Sequence, residues 1–148
     1  HINSEYSQLM YKMLEFTGKK SRKTERIVRS LNELGEQSTH QIESLFQTGK
    51  LCTTTNELTN ILKKSGLFRI SGHTSVSKFS FGGDSYDICK WEINYDGLIK
   101  KYGVEEFNTN KNKSQYVLDT ETYELHYLPV IRKTELWEEI KKEIGKEE

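Results

Sequence analysis

Apolar side chains recur at helical spacing over the first third of the chain. A first stripe predicts a helix from about Asn3 to Phe16, and its members share one face: Tyr6, Leu9, Met10, Met13 and Leu14. A second stripe predicts a helix from about Arg22 to Leu34, with Gly35 as its stop. We therefore expect the chain to open with two amphipathic helices.

Two capping boxes predict two further helices. Ser38 precedes Gln41 by three residues, and Thr54 precedes Glu57 in the same way, each just ahead of apolar residues at helical spacing. In such a box the two side chains bond free backbone N–H groups at the start of the helix. We expect a short helix that ends at Gly49 and a longer one from about Thr54 to Gly66. Three helices with short, capped connections are typical of a helix-turn-helix core.

Alternation of apolar and polar residues replaces helical spacing after Gly66. Residues 67–71 predict a strand, Gly72 opens a polar stretch, and residues 76–81 and 86–93 alternate on either side of a turn at 82–84. A helical triplet followed by a β-hairpin is the order of elements in a winged helix-turn-helix.

The segment after Asn94 predicts a mixed extension. Residues 95–107 have the apolar spacing of a short helix, residues 116–119 and 123–127 flank a turn, and Pro129 ends that hairpin. A last amphipathic helix is expected from Thr134 to about Ile144. The predicted fold class is therefore α+β and predominantly α. It comprises an N-terminal amphipathic helix (1–18), a winged helix-turn-helix domain (19–94), and a C-terminal extension of short helix, hairpin and helix (95–148).

The middle of the chain resembles the winged helix-turn-helix superfamily, and in particular small archaeal-type winged-helix modules. The resemblance rests on the order of segments 39–42, 54–58, 67–70 and 82–91, and it covers about half the chain. The chain departs from a minimal module by a helix in front and some fifty residues behind. The resemblance implies a DNA-binding role, with the second helix of the pair in the major groove and the hairpin as a wing.

Charge is unevenly distributed although the chain has 22 Lys or Arg and 22 Asp or Glu. Residues 18–29 carry six positive charges and one negative, and such a patch can bind phosphates even when the total charge vanishes. A solvated helix face is the plainer explanation of the same run.

Composition bounds the remaining classes. No apolar run approaches the roughly 20 residues that cross a bilayer, and no secretory signal is visible, so we expect a soluble cytoplasmic protein without membrane contact. Cys52 and Cys89 lack the paired spacing of a zinc site, and the four histidines make no metal pattern. We expect no metal and no cofactor.

Three groups of side chains would contact double-stranded DNA if the second helix of the pair lies in the major groove. The basic run would contact phosphates through Lys19, Lys20, Arg22, Lys23, Arg26 and Arg29. The second helix would contribute Thr54, Thr55, Asn56, Thr59, Asn60, Lys63 and Lys64. The wing tip would contribute His73, Thr74, Ser75 and Lys78. Helix capping and an ordinary exposed turn explain the Thr and Asn residues equally well.

No catalytic motif is present, so an enzyme is not expected. Asp119, Glu121 and Glu124 surround a turn and lack the basic partner that a Mg²⁺ nuclease would need. The sequence therefore predicts a sequence-selective DNA-binding regulator of transcription. The alternative is a winged-helix module for protein–protein interaction within a replication or transcription assembly. The outer N- and C-terminal helices could also pair two copies, which leaves a homodimer open.

Overall fold

A computed structural model describes residues 11–47, 51, 53–77, 85–104 and 113–146. The chain divides into two compact units, a central unit (Gly18–Leu98) and a terminal unit formed by His1–Thr17 together with Ile99–Glu148. The elements in chain order are β1 (Tyr11–Leu14), α1 (Ser21–Leu34), β2 (Gln37–Ser38), α2 (Thr39–Ser44), α3 (Thr55–Lys64), β3 (Phe68–Ser77), β4 (Ser85–Ile93), α4 (Tyr95–Tyr102), β5 (Gly103–Val104), β6 (Gln115–Asp119), β7 (Leu125–Leu128), a 3₁₀ turn (Val130–Arg132) and α5 (Lys133–Lys146).

The central unit combines three helices with a three-stranded antiparallel sheet in the order β2-β4-β3. Each helix turns one apolar stripe inward, and the buried residues include Ile27 and Leu31 on α1 and Ile42 on α2. The capping box at Ser38 is confirmed, because its hydroxyl accepts from the Gln41 N–H while the Gln41 side chain accepts from the Ser38 N–H. The local capping signals therefore set where these helices begin.

Strand β3 is one continuous strand of ten residues, where the sequence predicted a break at Gly72. Its register against β4 shifts between Ile70 and Gly72, which is the irregularity that a bulge produces. Glycine inside a strand often marks such an irregularity, and the strand continues through Gly72. The turn predicted at 82–84 lies outside the described residues.

Close backbone contact joins the end of α3 to the start of α4. The Asn94 N–H donates to the Leu67 carbonyl at 2.8 Å, and the Asn94 carboxamide donates to the Gly66 carbonyl at 3.1 Å. A Cβ at Gly97 would overlap the Gly66 carbonyl oxygen. Only a glycine at position 97 permits this approach.

The terminal unit is built on a four-stranded antiparallel sheet in the order β5-β1-β6-β7. Met13, Val117 and Leu128 form a buried cluster, against which apolar side chains of α5 pack, namely Leu136, Trp137 and Ile140. Phe16 packs edge-on to Tyr116 at 5.1 Å between ring centroids. Residues 115–118 of β6 are all buried, so both faces of this central strand are covered.

The predicted fold class, predominantly α, is wrong. Of the described residues, about 46% are helical and 31% lie in strands, which form antiparallel sheets of four and three strands. The predicted C-terminal hairpin is present as β6 and β7. It forms one side of the four-stranded sheet, because β6 also pairs with β1.

The predicted N-terminal helix is wrong where the structure describes it, since Tyr11–Leu14 is strand β1. Residues 1–10 lie outside the described residues. Met13 and Leu14 are both buried although neighbouring strand residues point to opposite faces, because the sheet is covered on both sides. Consecutive apolar residues in so short a window fit a helix stripe as well as a central strand.

Candidate nucleic-acid interface

Helix α3 has one apolar and one polar face. The Thr54 Oγ1 accepts from the Glu57 N–H at 3.1 Å and so begins the helix as its N-cap. Leu58, Ile61 and Leu62 are buried on one side. Because these three follow the i, i+3, i+4 pattern, the intervening polar residues take the opposite side.

The exposed side of α3 carries Asn56, Asn60 and Lys63, spaced i, i+4, i+7, which we call the polar stripe. Among the described residues, none of the three makes a side-chain hydrogen bond or ion pair. Their two carboxamides and one ammonium are therefore available to an external partner. Thr59 is half-buried beside the stripe, and Thr55 and Lys64 are exposed at its flanks.

Glu57, the one carboxylate on α3, is held by Lys23 of α1. The Lys23 Nζ donates to Glu57 Oε1 at 2.8 Å, and the two side chains are 19% and 25% exposed. This hydrogen bond holds the pKa of Glu57 below its usual value, while partial burial acts in the opposite direction. Of the predicted capping box, the hydrogen bond from the Glu57 N–H to Thr54 Oγ1 is present, while the Glu57 side chain pairs with Lys23. The negative charge of Glu57 is therefore compensated.

This ion pair changes the predicted role of Lys23. The sequence placed Lys23 among the phosphate contacts, but the structure engages it inside the protein, across 34 residues of sequence. Nothing in the local pattern indicates this partner. Lys23 instead fixes α1 against the N-terminal turn of α3.

The other basic residues of α1 point to solvent. Arg22, Arg26 and Arg29 follow i, i+4, i+7 spacing and are exposed, on the side opposite the buried Ile27 and Leu31. Within the described part of the chain, Arg22 and Arg26 form no ion pair, whereas Arg29 makes an interaction within the protein. Arg22 and Arg26 are therefore available to bind an external anion.

The start of α1 is open to an anion. Its N-cap, Lys20, has a left-handed backbone (φ 62°), no side chain caps the first turn, and that turn contains no acidic residue. The exposed Lys19 and Lys20 stand next to the first backbone N–H groups at the positive end of the helix, of which the Ser21 N–H donates to the Gly18 carbonyl at 3.3 Å. Both effects favour a phosphate at this end of α1.

The β3–β4 hairpin is fastened to α2 by a chain of hydrogen bonds. The Trp91 indole N–H donates to Thr39 Oγ1 at 2.9 Å, and that hydroxyl donates to the Cys89 carbonyl at 3.3 Å. His40 Nε2 lies 2.9 Å from the Tyr86 hydroxyl. The first turn of α2 therefore contacts strand β4 of the hairpin from Tyr86 to Trp91.

Glu36 adds a second attachment between the hairpin and the end of α1. Its carboxylate accepts from the Ser71 hydroxyl at 2.6 Å and pairs with Lys90 Nζ at 3.0 Å. These two donors, Ser71 first, hold the pKa of Glu36 below its usual value. The sequence did not single out this residue.

The predicted wing-tip residues lie along β3. His73, Thr74 and Ser75 pair with residues 89, 88 and 87 of β4, and Lys78 lies outside the described residues. His73 and Ser75 are exposed, and the Ser75 hydroxyl donates to Asp87 Oδ1 at 2.9 Å. Residues 73–75 themselves contain no carboxylate, but the partner strand places the carboxylate of Asp87 beside them.

Net charge differs in sign between the two units. The central unit has 12 Lys or Arg and 9 Asp or Glu, a net of +3, and the terminal unit has 10 and 13, a net of −3. The zero total of the chain therefore conceals a basic central unit, whose exposed cations cluster on α1 and α3.

The described residues form neither a metal site nor a membrane-spanning helix. The described residues contain no group of three His, Cys, Asp or Glu side chains placed to hold a metal ion. Within the same residues, no helix combines the length and apolar character that crossing a membrane requires.

No family model matches the chain, and no curated protein matches it. A solved structure that aligns with it is a protein from an uncultured marine organism, provisionally described as nucleic acid binding. The two share 28% identity over 52% of this chain and 82% of that one, with a TM-score of 0.41.

Proposed function

We propose that the central unit is a winged helix-turn-helix that binds double-stranded DNA, with α3 as recognition helix in the major groove and the β3–β4 hairpin as wing. The order of three helices followed by a hairpin agrees with the sequence resemblance, and β2 completes a small sheet in the order β2-β4-β3. A helix-turn-helix of this kind places the second helix of the pair against base edges.

The observation that carries this proposal is the polar stripe of α3. A helix buried on one side exposes two carboxamides and an ammonium that have no partner among the described residues. Carboxamides and ammonium groups are the side chains that read base edges and phosphates. Because Lys23 compensates the one carboxylate of this helix, little repels the DNA backbone there.

Phosphate binding follows from the basic residues around the stripe. Those that are exposed and form no ion pair with another described residue are Lys19, Lys20, Arg22, Arg26, Lys63 and Lys64. Each phosphate that such a side chain neutralises releases counterions and makes the affinity more dependent on salt. Binding by this unit should therefore weaken steeply as salt rises.

Regulation of transcription is the role we infer for such a binder, since a recognition helix with base-reading side chains selects sites by sequence. The alternative is a protein-interaction module, and it is favoured by two exposed apolar side chains, Leu34 (73% exposed) and Ile70 (49%). These residues lie outside α3. Under this alternative, substituting Leu34 and Ile70 would abolish docking to a partner protein and leave any affinity for DNA unchanged.

A pair of matched double variants tests the DNA-binding surface. Lys63→Gln with Lys64→Gln removes two charges from the last turn of α3, and Lys100→Gln with Lys101→Gln removes the same charges from the last turn of α4. In fluorescence anisotropy with a labelled duplex, the first variant should reduce the magnitude of the negative slope of log affinity against log salt by about 2. The second should leave it unchanged. Equal effects of the two variants would contradict a surface centred on α3.

A further inference from the structure

We propose that the polar stripe reads two A·T base pairs about two steps apart, with Asn56 on one adenine and Asn60 on the other. This inference rests on the proposed function, because it takes α3 to lie in the major groove.

The chemistry of the stripe selects adenine. A carboxamide offers an N–H donor and a carbonyl acceptor side by side, and adenine offers the complementary N7 acceptor and N6 donor in the major groove. Guanine presents two acceptors there and leaves the carboxamide oxygen unmatched. Both carboxamides are exposed and make no hydrogen bond with another described residue, so neither has to give up an internal contact.

The spacing of the two asparagines fits two separate bases. Four residues of helix rise by about 6 Å, and two base-pair steps rise by roughly 7 Å. Both residues lie in the first two turns of α3, which begins at Thr55. The N-terminal part of a recognition helix is the part that contacts base edges.

The rest of the face adds no competing preference for cytosine. An acidic side chain would accept from the cytosine amino group, but Glu57 is engaged by Lys23 on α1. Lys63, one turn beyond Asn60, can meet a guanine or a phosphate and does not change the reading of the two adenines. The stripe therefore specifies A·T pairs through its carboxamides.

The test begins with binding-site selection from a duplex library with a randomised window, using the full chain and the variants Asn56→Ala and Asn60→Ala. The full chain should enrich A·T pairs at two positions about two steps apart. Each variant should lose the preference at one of these positions and keep it at the other.

A change in the DNA supplies the matched control. In the selected duplex, 7-deazaadenine at an enriched position removes the major-groove acceptor N7 and so one of the two hydrogen bonds, and it should weaken binding by the full chain roughly 2- to 12-fold. It should not weaken further the variant that lacks the facing asparagine. The analogue 3-deazaadenine, which alters only the minor groove, should leave affinity unchanged.

The possible failures are distinguishable. Salt-dependent binding of the library without enrichment, or enrichment that survives both variants, would overturn the adenine reading and leave duplex DNA binding by the central unit standing. Absence of binding at low salt, with the chain folded, would overturn both.

Discussion

The carboxylate of Glu57 affects both the packing of α1 on α3 and the charge of the exposed side of α3. It pairs with Lys23 at 2.8 Å, which joins α1 to α3, and it leaves the exposed side of α3 without an acidic charge. The Thr53 hydroxyl and the charge of Lys20 act on it in the same direction as Lys23, so the pKa of Glu57 is lowered overall. Stability and the charge of the binding face therefore depend on one ion pair.

The pH dependence of folding tests this pair. Because the pKa of Glu57 is lower in the folded chain than the ordinary 4.5, its charged form stabilises the fold above that value, and this contribution is lost as pH falls through the lowered pKa. Urea denaturation should show Glu57→Gln to be less stable than the wild type at about pH 7, with a difference that shrinks toward about pH 3.

The control for this pair is Glu33→Gln. Glu33 is exposed on α1 and forms no ion pair with another described residue, so its substitution should have the same small effect at every pH. A Glu57→Gln variant whose stability follows the wild type at both ends of the pH range would contradict a stabilising Lys23–Glu57 pair.

Elements with local start and stop signals are the ones that the sequence predicts well. Ser38 and Thr54 cap their helices as expected, since an N-cap involves residues only three apart. Strand β1 could not be predicted in this way, because it is a strand only through its pairing with β5 and β6, about ninety and a hundred residues away. Short apolar runs become strands or helices according to such partners.

The same distinction holds for the candidate interface. Helical periodicity predicts that Asn56, Asn60 and Lys63 share an exposed side of α3. The Lys23–Glu57 contact spans 34 residues and follows from how α1 packs on α3, which no local pattern encodes. The placement of His73–Ser75 within β3 likewise depends on the register with β4.

The approach of α4 to the end of α3 yields a prediction at the element scale. Gly97→Ala places a methyl group against the Gly66 carbonyl, and both partners are backbone, so the start of α4 must shift. We expect a loss of about 1–3 kcal/mol in the free energy of unfolding, measured by urea denaturation.

Gly72→Ala is the matched control for Gly97. A Cβ at position 72 meets no atom within 4 Å, so this variant should stay within about 0.5 kcal/mol of the wild type. If both variants were equally stable, the close approach at Gly97 would have no energetic consequence.

In the whole molecule, the two units differ in the sign of their net charge. The central unit carries a net +3 and the terminal unit a net −3, so the neutrality of the chain says nothing about either unit. Exposed cations that lack ion pairs among the described residues are the groups that DNA phosphates would engage. We propose that six such residues, on α1, on α3 and in the loop before α1, bind duplex DNA.

The salt dependence of duplex binding tests that claim most directly. Fluorescence anisotropy of the full chain against a labelled duplex, at roughly 50 and 200 mM salt, gives the slope of log affinity against log salt. Six phosphate contacts predict a slope of about −5 and a loss of affinity of about 10³-fold between these salts. Binding that is insensitive to salt, or no binding at the lower salt by a chain that circular dichroism shows to be folded, would contradict the account.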